Sequence, residues 1–331
     1  MPPRRLLPGF LVLTALPLLY AQTPPTAPKD SLPAKLDLET IPLGLGPRPV
    51  PKEHPLTEAR ATLGRRLFFD PLLSADRTIS CASCHLPERG FSHGEPRGIR
   101  GQTLRRRAPT LFNRAYGTAF FWDGRTQTLE EQALKPIEDP SEMGSSVPET
   151  LKRLKDHPEY PALFAKAFDE GLSATTLAQA LAAFQRALVR GNSPVDLFIH
   201  KHDHAALTEE QRHGMWVFDS KGRCWRCHTA PQYTDEKFHN TGVSWGKSPS
   251  DLGRYETTKQ EGDKGRFKTP TLRGVTLTAP YMHDGSLKTL EEVVDYYSRG
   301  GNTNPHLDTV IQPLNLSPDE KRSLVAFLKC L

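Results

Sequence analysis

From Leu56 onward the chain alternates stretches of helical apolar spacing with polar loops rich in glycine and proline. Leu56, Ala59, Leu63, Leu67 and Phe68 fall on one face of a helix, and Pro71 ends it. Ser173 opens a second run through Leu177, Ala180, Leu181, Phe184 and Leu188, with Gly191-Asn192 as its expected C-cap. Thr208 and Gln211 have the spacing of a capping box before a helix carrying Met215, Trp216 and Phe218. Ser317-Pro318-Asp319-Glu320 starts a last helix with Leu324, Phe327 and Leu328 inward. Strand alternation is scarce, so the pattern predicts a mainly α fold.

The N-terminus stands apart. Arg4 and Arg5 precede an apolar run from Leu6 to Tyr20, broken by Pro8 and Pro17, which is short for a bilayer span and has the form of a secretory signal over residues 1–21. Export to the periplasm or the cell-envelope exterior follows; an uncleaved membrane anchor is the alternative. Residues 22–55 are crowded with proline and read as an extended linker that builds no core.

At 331 residues, 37% hydrophobic and 24% charged, the chain has material for two globular domains, which excludes a mini-protein, a multi-span membrane protein and a disordered chain. The formal charge of +5, two of it from Arg4 and Arg5, is too balanced to argue for nucleic acid.

Five cysteines in an exported chain first suggest disulfides, but their spacing points elsewhere. Cys81/Cys84 and Cys224/Cys227 form two Cys-x-x-Cys pairs, each followed at once by a histidine, His85 and His228. Two thiols so spaced can each form a thioether to one haem, and the adjoining histidine can then bind iron. Zinc would want further soft ligands, and a redox dithiol has no need of the histidine. Two covalent haem c groups are therefore expected. Cys330 is a lone cysteine at a helix end. His200, His202 and His204 alternate through a Lys/Asp segment and read as a solvated loop, not a metal site.

Around these motifs stand LGRRLFFDPLLS, TISCASCH, APTLFN, FFWDGR, LEEQA, PSEMG, CWRCH and TAPYMHDGSLKTLEEVV, then Tyr296-Tyr297 and Gly300-Gly301. In these stretches the chain resembles the bacterial di-haem cytochrome c peroxidase and MauG-type family. The resemblance implies two cytochrome c-like domains, at 56–200 with the peroxidatic haem and 201–331 with the electron-transfer haem. It implies reduction of hydrogen peroxide with electrons from a small c-type cytochrome or cupredoxin. A MauG-type oxidase acting on a protein substrate and a non-enzymatic di-haem carrier are the alternatives; family members often form homodimers.

Carried over by motif position, Glu142 is the distal acid/base, Gln132 its polar support with Pro136 on the same face, Trp122 a relay between the haems and Phe121 a wall of the distal pocket. Without the resemblance, Gln132 is equally a residue of a solvated helix face, Glu142 a loop carboxylate and Trp122 a core tryptophan. Tyr297 falls where peroxidases with a high-potential haem hold methionine, as in MauG-type proteins, with Met282 as the other candidate sixth ligand. No histidine occupies Gly98-Ile99-Arg100-Gly101, where many members close the first haem. His93 is the nearby candidate, and the first haem is expected to be open. The family's calcium site would use carbonyls of Thr278 and Pro280, but Arg107 stands at the asparagine position and its side chain offers no oxygen. The guanidinium is expected to replace the ion in part.

Overall fold

A computed structural model describes residues 30–93 and 97–331; the signal-like segment 1–21 lies outside the described residues. The first part contains α1 (Glu58–Phe69), a single turn α2 (Cys81–Cys84), α3 (Leu129–Glu138), α4 (Val147–Asp156), α5 (Tyr160–Ala167) and α6 (Ala174–Ala187). After α7 (Pro194–His200) come α8 (Glu209–Asp219), α9 (Tyr255–Thr258), α10 (Leu290–Ser298) and α11 (Pro318–Leu328). Among the described residues the only strands are β1 (Phe238–His239) and β2 (Phe267–Lys268), paired antiparallel. The fold is mainly α. No described helix is long and apolar enough to cross a membrane.

Among the described residues two large hydrophobic cores form, one from residues between Leu63 and Leu188, the other between Val195 and Leu331, beside a small cluster of Phe120, Leu129 and Ala182. Each large core is built on a helix crossing that only glycine permits. A methyl group at Gly64 on α1 would lie 1.8 Å from the Ala180 carbonyl oxygen on α6, and one at Gly214 on α8 would lie 1.8 Å from the Ser323 carbonyl oxygen on α11. One turn beyond each glycine the crossing is sealed by a phenylalanine pair. Phe68 meets Phe184 at 5.0 Å, and Phe218 meets Phe327 at 5.2 Å between ring centroids. All four rings are buried, each stabilising the fold by roughly 1.5–3 kcal/mol.

The helix starts follow the sequence. Thr208 Oγ1 accepts from the Gln211 amide at 3.2 Å while Gln211 Oε1 accepts from the Thr208 amide at 2.8 Å, and Ser317 with Glu320 repeats the arrangement. The end of α6 differs from expectation: the helix stops at Ala187, before Gly191-Asn192. The Leu188 carbonyl accepts from the Asn113 amide at 2.9 Å, and Asn113 Oδ1 takes the Arg190 amide at 2.7 Å. A long-range partner thus ends the helix where local periodicity continues it. Asn192 instead exchanges hydrogen bonds with Leu43.

That contact corrects the picture of the proline-rich segment. Residues 30–55 contain no helix or strand, but they are a strap and not a free linker. Leu32 and Leu36 pack on the first core, Arg65 pairs with Asp30, and Arg273 donates to the Gly44 carbonyl at 3.1 Å. The sequence misled because a strap adds contacts without any apolar period of its own.

Candidate functional site

The first Cys-x-x-Cys-His is wound into α2 by Ser80, whose amide donates to Ser83 Oγ at 3.0 Å, and the His85 amide closes the turn on the Cys81 carbonyl at 2.9 Å. His85 Nδ1 donates to the Phe91 carbonyl at 2.9 Å, so Nε2 keeps its lone pair. Burial holds the imidazole neutral, down to about 4, and pushes the Cys81 and Cys84 thiols up to about 12. A cavity of about 550 Å³ opens beside them, lined by Cys84, His85, Phe121, Gln132, Pro136 and Glu142.

The second motif repeats this geometry. The His228 amide bonds the Cys224 carbonyl at 2.9 Å, and His228 Nδ1 donates to the Tyr233 carbonyl at 2.9 Å. Phe91 and Tyr233 share a left-handed backbone, φ 54° and 52°, which turns each carbonyl back to its histidine. Its cavity, about 210 Å³, is lined by Cys224, Cys227, His228, Met282, His283 and Tyr297. Histidines oriented through Nδ1, each next to a Cys-x-x-Cys pair at a cavity wall, with the Cys81, Cys84 and Cys224 thiols pushed up by burial, fit a haem held by thioethers and ligated by histidine.

The repeat extends to the opposite walls. Phe120-Phe121-Trp122-Asp123-Gly124 and Tyr281-Met282-His283-Asp284-Gly285 form matching turns, with Phe121 and Met282 both left-handed and bridges at Phe120–Thr126 and Tyr281–Leu287. Thr128 then caps α3 and Thr289 caps α10. Eight residues after each cap stand Pro136 and Tyr297, lining the first and second cavity respectively. Equivalent positions thus carry a side chain without a ligating atom in one cavity and a phenol in the other. Burial pushes that phenol up. Met282 lines the second cavity from the turn, in the place that Phe121 takes in the first.

Trp122 lines both cavities, is 8% exposed, and donates from Nε1 to the Arg107 carbonyl at 2.8 Å. Its ring meets His283, its counterpart in the repeat, edge-on at 6.3 Å. His283 stacks on Phe267 at 3.7 Å and bonds Ser244 Oγ through Nε2 at 2.8 Å. Arg106 clamps this junction by pairing with Asp123 and Asp251 at 2.7 Å each. Burial and nearby Asp139 push the Glu142 carboxyl up to about 7 against the opposing pull of Arg125. The loop carrying Glu142 is fixed by its own amide on the Asp139 carbonyl and by the Ile99 amide on the Glu142 carbonyl at 2.7 Å.

Sequence reasoning passed over Arg125, Phe267, Lys268 and His239. Arg125 lies over the Phe121 ring at 3.4 Å on the first cavity wall, and its place in FFWDGR was the available signal. Lys268 lines both cavities, lowered to about 8 by burial, and bonds the Trp122 carbonyl through its amide at 2.8 Å. His239 is held between Asp235 and Asp308 beside Cys227. These three reach the site through the tertiary fold and carry no motif.

The remaining candidates are placed as follows. Thr278 lines the second cavity, but the Pro280 carbonyl accepts a guanidinium N–H of Arg107, so these residues do not fit a calcium ion. The described residues lining the first cavity do not include His93, whose carbonyl accepts from Arg107 Nε at 3.2 Å. His200, His202 and His204 are exposed at the end of α7 and beyond it. Cys330 is buried in the second core.

A model of the di-haem cytochrome c peroxidase family matches residues 58–204. The methylamine utilization protein MauG of Methylorubrum extorquens is 42% identical over 289 residues, covering 86% of this chain and 81% of that protein. Cytochrome c551 peroxidase of Pseudomonas aeruginosa is 33% identical over 300 residues, covering 86% and 83%. The crystal structure of a MauG-like protein associated with microbial copper homeostasis superposes with a TM-score of 0.80 at 35% identity, covering 88% of this chain and 94% of that one. Matching of this extent, on a molecule whose two halves repeat one histidine-walled cavity, places the chain in the di-haem cytochrome c peroxidase family, oxidoreductases with haem c in cytochrome c-like domains.

Proposed function

We propose that the protein reduces hydrogen peroxide in the first cavity with two electrons that enter through the second. The observation that carries this is the asymmetry of the opposite walls, Pro136 in one cavity and Tyr297 in the other. Haem, which Cys81 and Cys84 would hold in one half and Cys224 and Cys227 in the other, would supply the exchange of electrons with peroxide and with a partner. His85 and His228 would hold the two irons through Nε2. Pro136 offers no ligating atom to the first cavity and would leave room there for peroxide, whereas Tyr297 presents a phenol oxygen at the corresponding place in the second.

Glu142 lies on the wall that peroxide would face. With its carboxyl near 7 it can take the proton from the inner oxygen and return it to the outer one, which leaves as water. Peroxide, two protons and two electrons thus give two waters. Gln132 turns a polar side chain into the same cavity and supports the departing oxygen. Trp122, in the wall common to both cavities, carries the electron between them.

The donor in this reading is a small c-type cytochrome or cupredoxin in the periplasm, reached through export. A second reading, MauG-type oxidation of a side chain on a protein substrate, is favoured by Tyr297, since an anionic oxygen ligand favours oxidised iron and weakens the pull on a donor's electrons. The test is peroxide-dependent oxidation of a reduced small cytochrome c by the haem-loaded protein, as isolated and after partial reduction. Turnover in both states is expected. Turnover in neither, with both haems present, would reject the donor-coupled reading.

A further inference from the structure

Arg107 is 5% exposed, and among the described residues no carboxylate pairs with it. Its side chain is satisfied by oxygens alone. The guanidinium donates to the Pro280 carbonyl, to Ser92 Oγ and, from Nε at 3.2 Å, to the His93 carbonyl. Its backbone ties two further segments: the amide donates to the His283 carbonyl at 2.8 Å, and the carbonyl accepts the Trp122 indole at 2.8 Å. The residue lines both cavities.

Three neutral oxygens converging from two segments, Ser92-His93 and Pro280, are the kind of donor set that holds a hard cation. Here the charge at their centre belongs to the chain. Burying a guanidinium among neutral dipoles is costly unless it is hydrogen-bonded, and each of its three nitrogens donates to one of these oxygens. Burial lowers the group only to about 10, so it stays charged at neutral pH.

We propose that the Arg107 guanidinium is the resident cation of the junction between the two cavities, so that this protein holds Trp122 and both walls in place without a bound divalent ion. The charge sits beside both cavities, where it favours the reduced form of whatever redox group they hold.

The test uses the haem-loaded protein and its Arg107→Gln and Arg107→Lys variants. After dialysis against EGTA, the wild-type protein is expected to contain no stoichiometric calcium, and its melting temperature and haem absorption are expected to be those of protein kept in calcium chloride. Arg107→Gln should lower the melting temperature and both haem midpoint potentials, and Arg107→Lys should recover part of each. One calcium per wild-type chain, or an EGTA-induced loss reversed by calcium, would overturn the proposal. So would Arg107→Gln potentials equal to wild type, or Arg107→Lys potentials no higher than those of Arg107→Gln. If the variants fail to fold, the wild-type metal content and EGTA response decide alone.

Discussion

Glu142→Gln should make the protein more stable and less active, each with its own pH signature. In the folded chain the carboxyl sits near 7 instead of its ordinary 4.5, because burial and Asp139 oppose its ionisation. Folding therefore favours the protonated form: this group costs nothing below about pH 4.5, and its penalty grows from there until it levels off above about pH 7. Full ionisation costs about 3 kcal/mol, and solvent at the cavity mouth trims that to ~1.5–3 kcal/mol. Removing the charge should raise the melting temperature of the haem-loaded protein at pH 8 by roughly 3–10 °C and leave it unchanged at pH 4. Peroxide turnover should fall by roughly 10²–10⁴, the usual worth of a positioned acid/base group. Wild-type kcat/KM for peroxide should rise with pH to a plateau above about 7, and the variant should lose that dependence. Differential scanning calorimetry at the two pH values, beside stopped-flow kinetics, reads both effects. Equal stabilisation at pH 4 and pH 8, or none at pH 8, would refute the reasoning.

Further outcomes follow from the packing and the shared wall. Gly64→Ala and Gly214→Ala each force a methyl group against a backbone carbonyl at a helix crossing, and each should cost about 1–3 kcal/mol in thermal unfolding; unchanged melting would show that the crossings can widen freely. Trp122→Phe loses the bond to the Arg107 carbonyl, costing about 1–3 kcal/mol. Haem content should be kept while oxidation of a reduced donor lags behind peroxide consumption in stopped flow; a wild-type rate would remove Trp122 from the path.

The residues brought to the two cavities were largely legible because they are consecutive or fixed in spacing. Two Cys-x-x-Cys-His motifs announce themselves in a chain with five cysteines, and each structural turn builds the histidine geometry locally. Capping boxes at Thr208 and Ser317 are local too, so those helix starts fall where the sequence puts them. The end of α6 was not legible, because Asn113 stops it from far along the chain. Residues 30–55 gave no apolar period to read, and their docking rests on single side chains such as Leu32, Leu36 and Asp30. The same holds inside the site. Gly64 and Gly214 look like ordinary helix glycines until the opposing carbonyl is seen, and Lys268 looks like a solvated lysine until both cavities are found against it. Pro136 was legible only as a neighbour of Gln132 on one face; its contrast with Tyr297 at the same place in α10 appears once the two cavities are seen.

The most direct measurement is the electron paramagnetic resonance spectrum of the oxidised, haem-loaded protein, beside that of Pro136→His. One high-spin and one low-spin haem in the wild type, with the high-spin signal lost and peroxide turnover abolished when histidine replaces Pro136, is the result predicted. Two low-spin haems in the wild type as isolated, or a high-spin signal that Pro136→His leaves untouched, would contradict an open first cavity facing a closed second one.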